Sequence, residues 1–203
     1  MFERRLGLFP AAFDEEGVLR TFTAFGDYPA ILPERKVDFE KENTFTGWML
    51  LSYKKNADAS SEVDGFPVSN AFDEDIRTWW SAATGDSGEW LSVELDDAST
   101  VTAIQVNFAD HESTLKPDSR DIFYRYRILA SHDGKSWDVI ADKSNNSTDA
   151  CHDYIQLENP VRTRFIKIEN VSVPDGKFSL YDLRVFGTRE GDAPAEIRDF
   201  TVS

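Results

Sequence analysis

Asp73-x-Asp75-x-x-Thr78 sets two carboxylates and a hydroxyl in one short loop. A hard cation such as calcium takes about six to eight oxygens, backbone carbonyls included. The same residues also build metal-free turns in which a carboxylate accepts from nearby amides. Spacing alone leaves both readings open. An EF-hand is excluded, because Thr78 stands at the sixth position from Asp73 and no Glu follows at the twelfth. His111, His132, His152 and Cys151 show no metal-ligand spacing. Cys151 and His152 are adjacent, so on a strand they point to opposite faces, and a buried thiol is the expectation. No glycine-rich phosphate loop and no Gly-x-Ser-x-Gly is present. Glycoside hydrolysis needs two carboxylates at a set separation, and 37 acidic residues leave such a pair open. Asn145, Asn146 and Asn170 lie in Asn-x-Ser/Thr sequons.

Those 37 acidic residues face 22 basic ones, for a net charge of −15. Such a surface repels phosphate backbones and anionic headgroups, so neither nucleic acid nor membrane is expected as a partner. Neutral ligands and cations suit it. No run approaches the roughly 18 apolar residues of a membrane span. The opening Met1-Phe2-Glu3-Arg4-Arg5 lacks the apolar stretch of a signal peptide. A lone cysteine rules out an intrachain disulfide, and 203 residues can bury a core without one.

The elements that must carry these groups read as all-β. Leu91, Val93 and Leu95 alternate with polar residues, as do Ile104, Val106 and Phe108. Tyr124, Tyr126, Ile128 and Ala130 form a third such face. Ile166 with Ile168, and Leu183 with Val185, supply two more. Asp133-Gly134 between two runs predicts a hairpin turn. Many short antiparallel strands imply a sandwich. Residues 1–45 differ: one hairpin with a turn at Asp14-Glu15-Glu16-Gly17, then a charged linker over 34–43. Residues 189–203 read as a linker and the start of another β domain.

An ordered set of motifs then carries a resemblance. Ala59-Ser60-Ser61 comes first, then Asn70-Ala71-Phe72-Asp73 through Thr78-Trp79-Trp80-Ser81. Glu89 to Leu95, Ser131-His132-Asp133-Gly134-Lys135-Ser136-Trp137 and Arg164-Phe165-Ile166-Lys167-Ile168 follow. Leu180-Tyr181-Asp182-Leu183-Arg184-Val185-Phe186-Gly187 closes the set. Together they resemble the discoidin, or coagulation factor V/VIII C-type, domain, in particular the family 32 carbohydrate-binding modules. The resemblance implies an eight-stranded antiparallel jelly-roll β-sandwich, galactose-binding-domain-like, over 46–188. Residues 1–45 resemble the last strands of a propeller like that of family 43 glycoside hydrolases. The chain is therefore expected to be the non-catalytic, C-terminal part of a glycosidase. Its parent would be secreted, periplasmic or on the cell surface.

The resemblance also implies sites. Structural calcium would take the side chains of Asp73, Asp75, Thr78 and Asp182 and the carbonyls of Asn70 and Tyr181. The family usually has Glu where Asp182 stands, so the shorter side chain would reach the ion through water. A sugar would stack on Trp79 or Phe178, with Asp110, His111 and Arg120 holding its hydroxyls. Carbohydrate and the upstream catalytic propeller are the expected partners. The alternative is a structural accessory domain that packs on the propeller without a sugar site, with an adhesion or membrane-binding discoidin domain behind it.

Overall fold

The computed structural model describes residues 11–13, 16–21, 28–32, 34–35, 46–114 and 122–189. The chain divides into two compact units, Met1–Met49 and Leu50–Ser203. In the first, β1 (Ala11–Phe13) pairs antiparallel with β2 (Leu19–Thr21), Phe13 opposite Leu19. Gly17 turns that hairpin at φ +75°, a conformation free of penalty only for glycine. The propeller-like motifs of residues 4–10, most of the charged linker and the tail after Arg189 lie outside the described residues.

The second unit is all-β apart from one 3-10 turn, Val68–Phe72. Its strands are β3 (Met49–Leu50), β4 (Ala57–Ala59), β5 (Trp80–Ser81) and β6 (Trp90–Phe108). They continue with β7 (Arg125–Ser131), β8 (Asp138–Asp142), β9 (His152–Ser172) and β10 (Ser179–Arg189). The hydrogen-bonded order is β3-β10-β6-β9-β7-β8, with β4 also on β6 and β5 on β10.

Two very long strands turn this ladder into two layers. β6 pairs β9 from Trp90↔Glu169 to Glu94↔Phe165, slips, and resumes from Ser99↔Thr163 to Asn107↔His152. The slip contains Asp96 at φ +65°, and a second slip, between Val101 and Ala103, faces the stretch of β9 that holds Pro160. Both features bend a strand out of its plane. The first half of β6 thus joins β4 and the second half of β9, which also pairs with β7. Its second half joins β10 and the first half of β9. Two packed layers of one antiparallel sheet result, a galactose-binding-like sandwich.

The alternating residues face inward. Leu91, Val93, Ile104, Val106, Ile128, Ile166, Ile168, Leu183 and Val185 are all fully buried. Each such side chain contributes about 1.5–3 kcal/mol through removal from water. Trp80 and Phe178 meet edge to face in this core at 5.5 Å. The Asp133 carboxylate accepts from the amides of Lys135 and Ser136 at 2.8 Å. Those backbone bonds hold its pKa at about 2. Cys151, expected buried, is exposed just before β9, because it precedes the strand instead of lying in it. Asn170 is buried, and its amide donates to the carbonyls of Gly85 and Asp86 at 2.9 Å. It acts as a loop clasp.

Candidate functional site

Because β6 doubles back, the loops at its two ends become neighbours. Residues 82–89 precede Trp90, residues 109–114 follow Phe108, and residues 173–178 enter β10. Backbone bonds stitch the three. Ala82 donates to Phe178 at 2.9 Å, Phe178 to Thr84 at 3.0 Å and Lys177 to His111 at 3.0 Å. The contact is close enough to demand glycine. A Cβ on Gly85 would lie 2.3 Å from the Gly176 carbonyl oxygen, and one on Gly176 would lie 2.4 Å from that of His111. Asp175 accepts from the Thr114 hydroxyl at 2.8 Å and also from its amide. Lys177 reaches Glu112 at 3.2 Å and the Ala83 carbonyl at 2.9 Å.

Four rings gather beside these loops. Phe66 lies 4.7 Å from Trp79 and 4.4 Å from His111 between ring centroids. Trp79 meets His111 edge-on at 5.8 Å and Tyr181 at 5.9 Å. Phe66 is brought in by the turn over 63–66, whose residues Val63 and Phe66 exchange bonds with Ser81. Trp79 and His111 are each partly buried. Inside the cluster, Trp79 Nε1 and His111 Nδ1 are buried and have no hydrogen-bond partner among the described residues. A buried polar nitrogen without a partner costs about 1–3 kcal/mol. Aromatic faces beside polar groups in want of partners suit a ligand with an apolar face and hydroxyls around its edge.

Glu89 anchors the floor of this end. Its carboxylate accepts from the hydroxyls of Ser61 at 2.7 Å, Thr84 at 2.9 Å and Ser60. Burial pushes its pKa up, but those hydroxyls and the Thr84 amide together hold it below the ordinary value. Asp110 is exposed and accepts from the Tyr124 hydroxyl at 2.9 Å. Burial and then this carboxylate drive the Tyr124 phenol pKa far above its usual value.

The structure therefore brings Trp79 and His111 together and sets Asp110 on the same loop, bound to a tyrosine. Arg120 lies outside the described residues. Phe178 needs correction: it is 0% exposed and packs on Trp80 and Phe108. The loop that carries it enters β10 with that side chain inward, so no sugar can stack on it. Sequence reasoning missed Phe66 and the Tyr181 ring. Phe66 sits in a Gly65-Phe66-Pro67 turn where no periodicity marks it.

The acidic loop is locally closed. Asp73 accepts from the Asp75 amide and the Thr78 hydroxyl, each at 2.8 Å. The Thr78 hydroxyl also lies 2.9 Å from the Asp75 carbonyl oxygen. Both Asp75 carboxylate oxygens instead face Arg77, at 2.8 and 2.6 Å. Hydrogen bonds from Arg77 hold the Asp75 pKa at about 2. Glu74, at φ +62°, receives the guanidinium of buried Arg184 at 3.0 and 2.9 Å. Asn70 donates its side-chain amide to the Trp79 carbonyl at 3.1 Å. Asp182 is 1% exposed and accepts from Asn107 at 3.0 Å. Among the described residues no three His, Cys, Asp or Glu side chains stand together to hold a metal. The gathered oxygens are a carboxylate of Asp73, the hydroxyl of Thr78 and the carbonyl of Asp75. That mixed set is what a hard cation accepts. The Asp75 carboxylate, expected to face into the loop, is on Arg77 instead.

Comparison with known proteins adds a family and a set of structures. The model of the F5/8 type C domain matches residues 56–182. The chain is similar to chitosan-binding module 1 of a chitosanase/glucanase from Paenibacillus sp. IK-5. Identity there is 25%, over 68% of this chain and 99% of that one, with a TM-score of 0.56. It is likewise similar to the family 32 carbohydrate-binding module of Clostridium perfringens NanJ, solved with galactose. There identity is 22%, coverage 68% and 98%, and the TM-score 0.56. A family 89 glycoside hydrolase from Clostridium perfringens matches at 23% identity and TM-score 0.56, over 76% of this chain and 16% of that one. No curated protein matches the chain.

Proposed function

Since the chain belongs to the F5/8 type C domain family, we propose that its sandwich is a non-catalytic carbohydrate-binding module whose sugar site is the ring cluster at the loop end. The observation that carries this reading is the cluster of four rings at the loop end, Phe66, Trp79, His111 and Tyr181. A pyranose offers C–H groups to an aromatic face and hydroxyls to polar groups around it. Solved modules of the same fold bind chitosan or galactose, which supports a sugar over a peptide or a lipid. The net charge of −15 points the same way, since it disfavours phosphate and anionic membranes.

Tethered to a catalytic domain, such a module raises the effective concentration of enzyme at its polysaccharide. A glycosidase parent with an upstream propeller, acting outside the cytoplasm, is part of this proposal. So is a structural calcium ion at the Asp73–Thr78 loop. Asp73, Thr78 and the Asp75 carbonyl would hold it. The ion would fix the loop that ends in Trp79.

The test is a glycan array probed with the whole chain, repeated with Trp79→Ala and His111→Ala. Binding to defined glycans that both variants lose, with circular dichroism unchanged, is the expected result. Binding that survives both substitutions overturns the site. Silence from the folded wild-type chain overturns the module reading and leaves a packing role on a neighbouring domain.

A further inference from the structure

The Glu89 carboxylate is full. Its Oε2 accepts from the hydroxyls of Ser60 and Ser61, and its Oε1 accepts from the hydroxyl and the amide of Thr84. A carboxylate has about four lone-pair sites, so this one keeps none for a ligand. Each of the three hydroxyls also accepts from a backbone amide. Ser60 takes the Trp90 amide at 2.9 Å, Ser61 the Ala83 amide at 2.9 Å and Thr84 the Asp86 amide at 3.2 Å. A hydroxyl has one proton to give. Ser61 and Thr84 give theirs to Glu89, and so does Ser60, whose hydroxyl also lies 3.2 Å from the Trp90 carbonyl. Three relays thus run from a backbone amide, through a hydroxyl, to one carboxylate.

The relays join the segments that deliver two of the four rings. Ser60 and Ser61 lead into the turn over 63–66 that carries Phe66. The Thr84 carbonyl receives the Phe178 amide at 3.0 Å, and on that same loop the Lys177 amide reaches the His111 carbonyl at 3.0 Å. Phe66 and His111 then stand 4.4 Å apart between ring centroids. We propose that Glu89 is a positioning residue of the loop-end site: it sets Phe66 against His111 and touches no ligand itself. This rests on the reading of the loop end as a sugar site.

Hydrogen bonds to a carboxylate are roughly twice as strong as those between neutral groups. A network that loses its common acceptor leaves donors facing donors. Glutamine in place of Glu89 keeps the shape and removes that acceptor. Whichever oxygen its amide nitrogen replaces, the nitrogen faces two donors. At the Oε2 position it breaks the relays through Ser60 and Ser61. At the Oε1 position it breaks the relay through Thr84 and opposes the Thr84 amide.

The whole chain is followed by NMR and calorimetry as wild type, as Glu89→Gln and as Ile104→Val, a core change outside these loops. Chitotriose and galactose are the sugars. In Glu89→Gln the amides of Ala83 and Trp90, or those of Thr84 and Asp86, should exchange with solvent roughly tenfold faster. The Overhauser contact between the Phe66 and His111 rings should fade, and affinity for whichever sugar the wild type binds should fall roughly tenfold. Ile104→Val should lower the melting temperature and leave all three readings as they are in the wild type. Should Glu89→Gln not fold, Thr84→Val removes one relay at an exposed residue and should speed exchange at Asp86 while weakening the ring contact. Unchanged exchange, or a ring contact that survives faster exchange, overturns the inference, and so does an equal loss in Ile104→Val. A lost ring contact with sugar affinity intact supports the hold of Glu89 on the rings and overturns instead the reading of the cluster as a sugar site. If the wild type binds neither sugar, the ring contact alone decides the part of Glu89.

Discussion

Trp79 and Trp80 are neighbours in sequence with opposite surroundings. Trp80 lies wholly in the core against Phe178, and its Nε1 donates to the Ser61 carbonyl at 3.2 Å. Trp79 turns outward into the ring cluster with its nitrogen unmatched among the described residues. Trp80 opens β5 and Trp79 stands just before it; the resemblance set Trp80 in the core and left Trp79 at a variable position. Phe178 was not legible in the same way. It follows a turn, and the parity of a side chain cannot be counted through a turn whose length and glycine conformation are unknown. Asp75 shows the related limit: spacing put its carboxylate in the loop but could not foresee that Arg77 would take it. The burial of Phe178 has a measurable consequence. Phe178→Ala should cost about 3–5 kcal/mol, enough to consume much of a domain's stability. The milder Phe178→Leu should lower the urea midpoint by an amount equal to roughly 1 kcal/mol and leave sugar affinity intact. A selective loss of affinity in Phe178→Leu with an unchanged midpoint would return this ring to the binding surface.

At the scale of elements, the site exists because β6 and β9 are long enough to serve both layers. The alternating runs at 91–95 and 104–108 were readable as strands, and so was the turn at Asp133-Gly134. That both runs belong to one continuous strand was not, because the corner at 96–99 reads as a break: it is polar and holds Asp96 in the left-handed region. Without that continuity nothing in the sequence says that loops 82–89 and 109–114 meet. Gly176 is where their meeting is tightest. It adopts φ +72°, and an added Cβ would press on the backbone of His111, Glu112 and Ser113. Gly134, at φ +70°, would only touch the far edge of the Phe165 ring at 3.6 Å. Both alanine substitutions carry the left-handed penalty of about 1–2 kcal/mol. Only Gly176→Ala should also part the loops, so it should weaken sugar binding at least tenfold more than Gly134→Ala does. Equal affinities in the two variants, measured by calorimetry on folded samples, would show that the loop stitching does not support the site.

The whole molecule must hold this end still against its own charge. With −15 spread over 203 residues, carboxylates crowd several loops. Internal bonds relieve part of that strain: Arg184 closes on Glu74, Arg77 on Asp75 and Arg164 on Glu94. A calcium ion at the Asp73–Thr78 loop would relieve more of it and would bind only the folded chain, since the three oxygens come together through the turn. Linkage then sets the size of the effect. At a free concentration one hundred times its dissociation constant, such a ligand adds about 2.7 kcal/mol. For a chain of this length, each kcal/mol moves the melting temperature by about 2–4 °C. Removing calcium should therefore lower the melting temperature by roughly 5–10 °C without abolishing folding, because the Arg184–Glu74 clamp and the turn bonds of Asp73 remain. Asp73→Asn should reproduce that loss and make the melt indifferent to chelator. Calorimetric scans with calcium, with chelator and after calcium is restored decide it. Recovery on restoring calcium establishes the ion as part of the fold, whereas identical scans would assign the loop's rigidity to its arginines and hydrogen bonds alone.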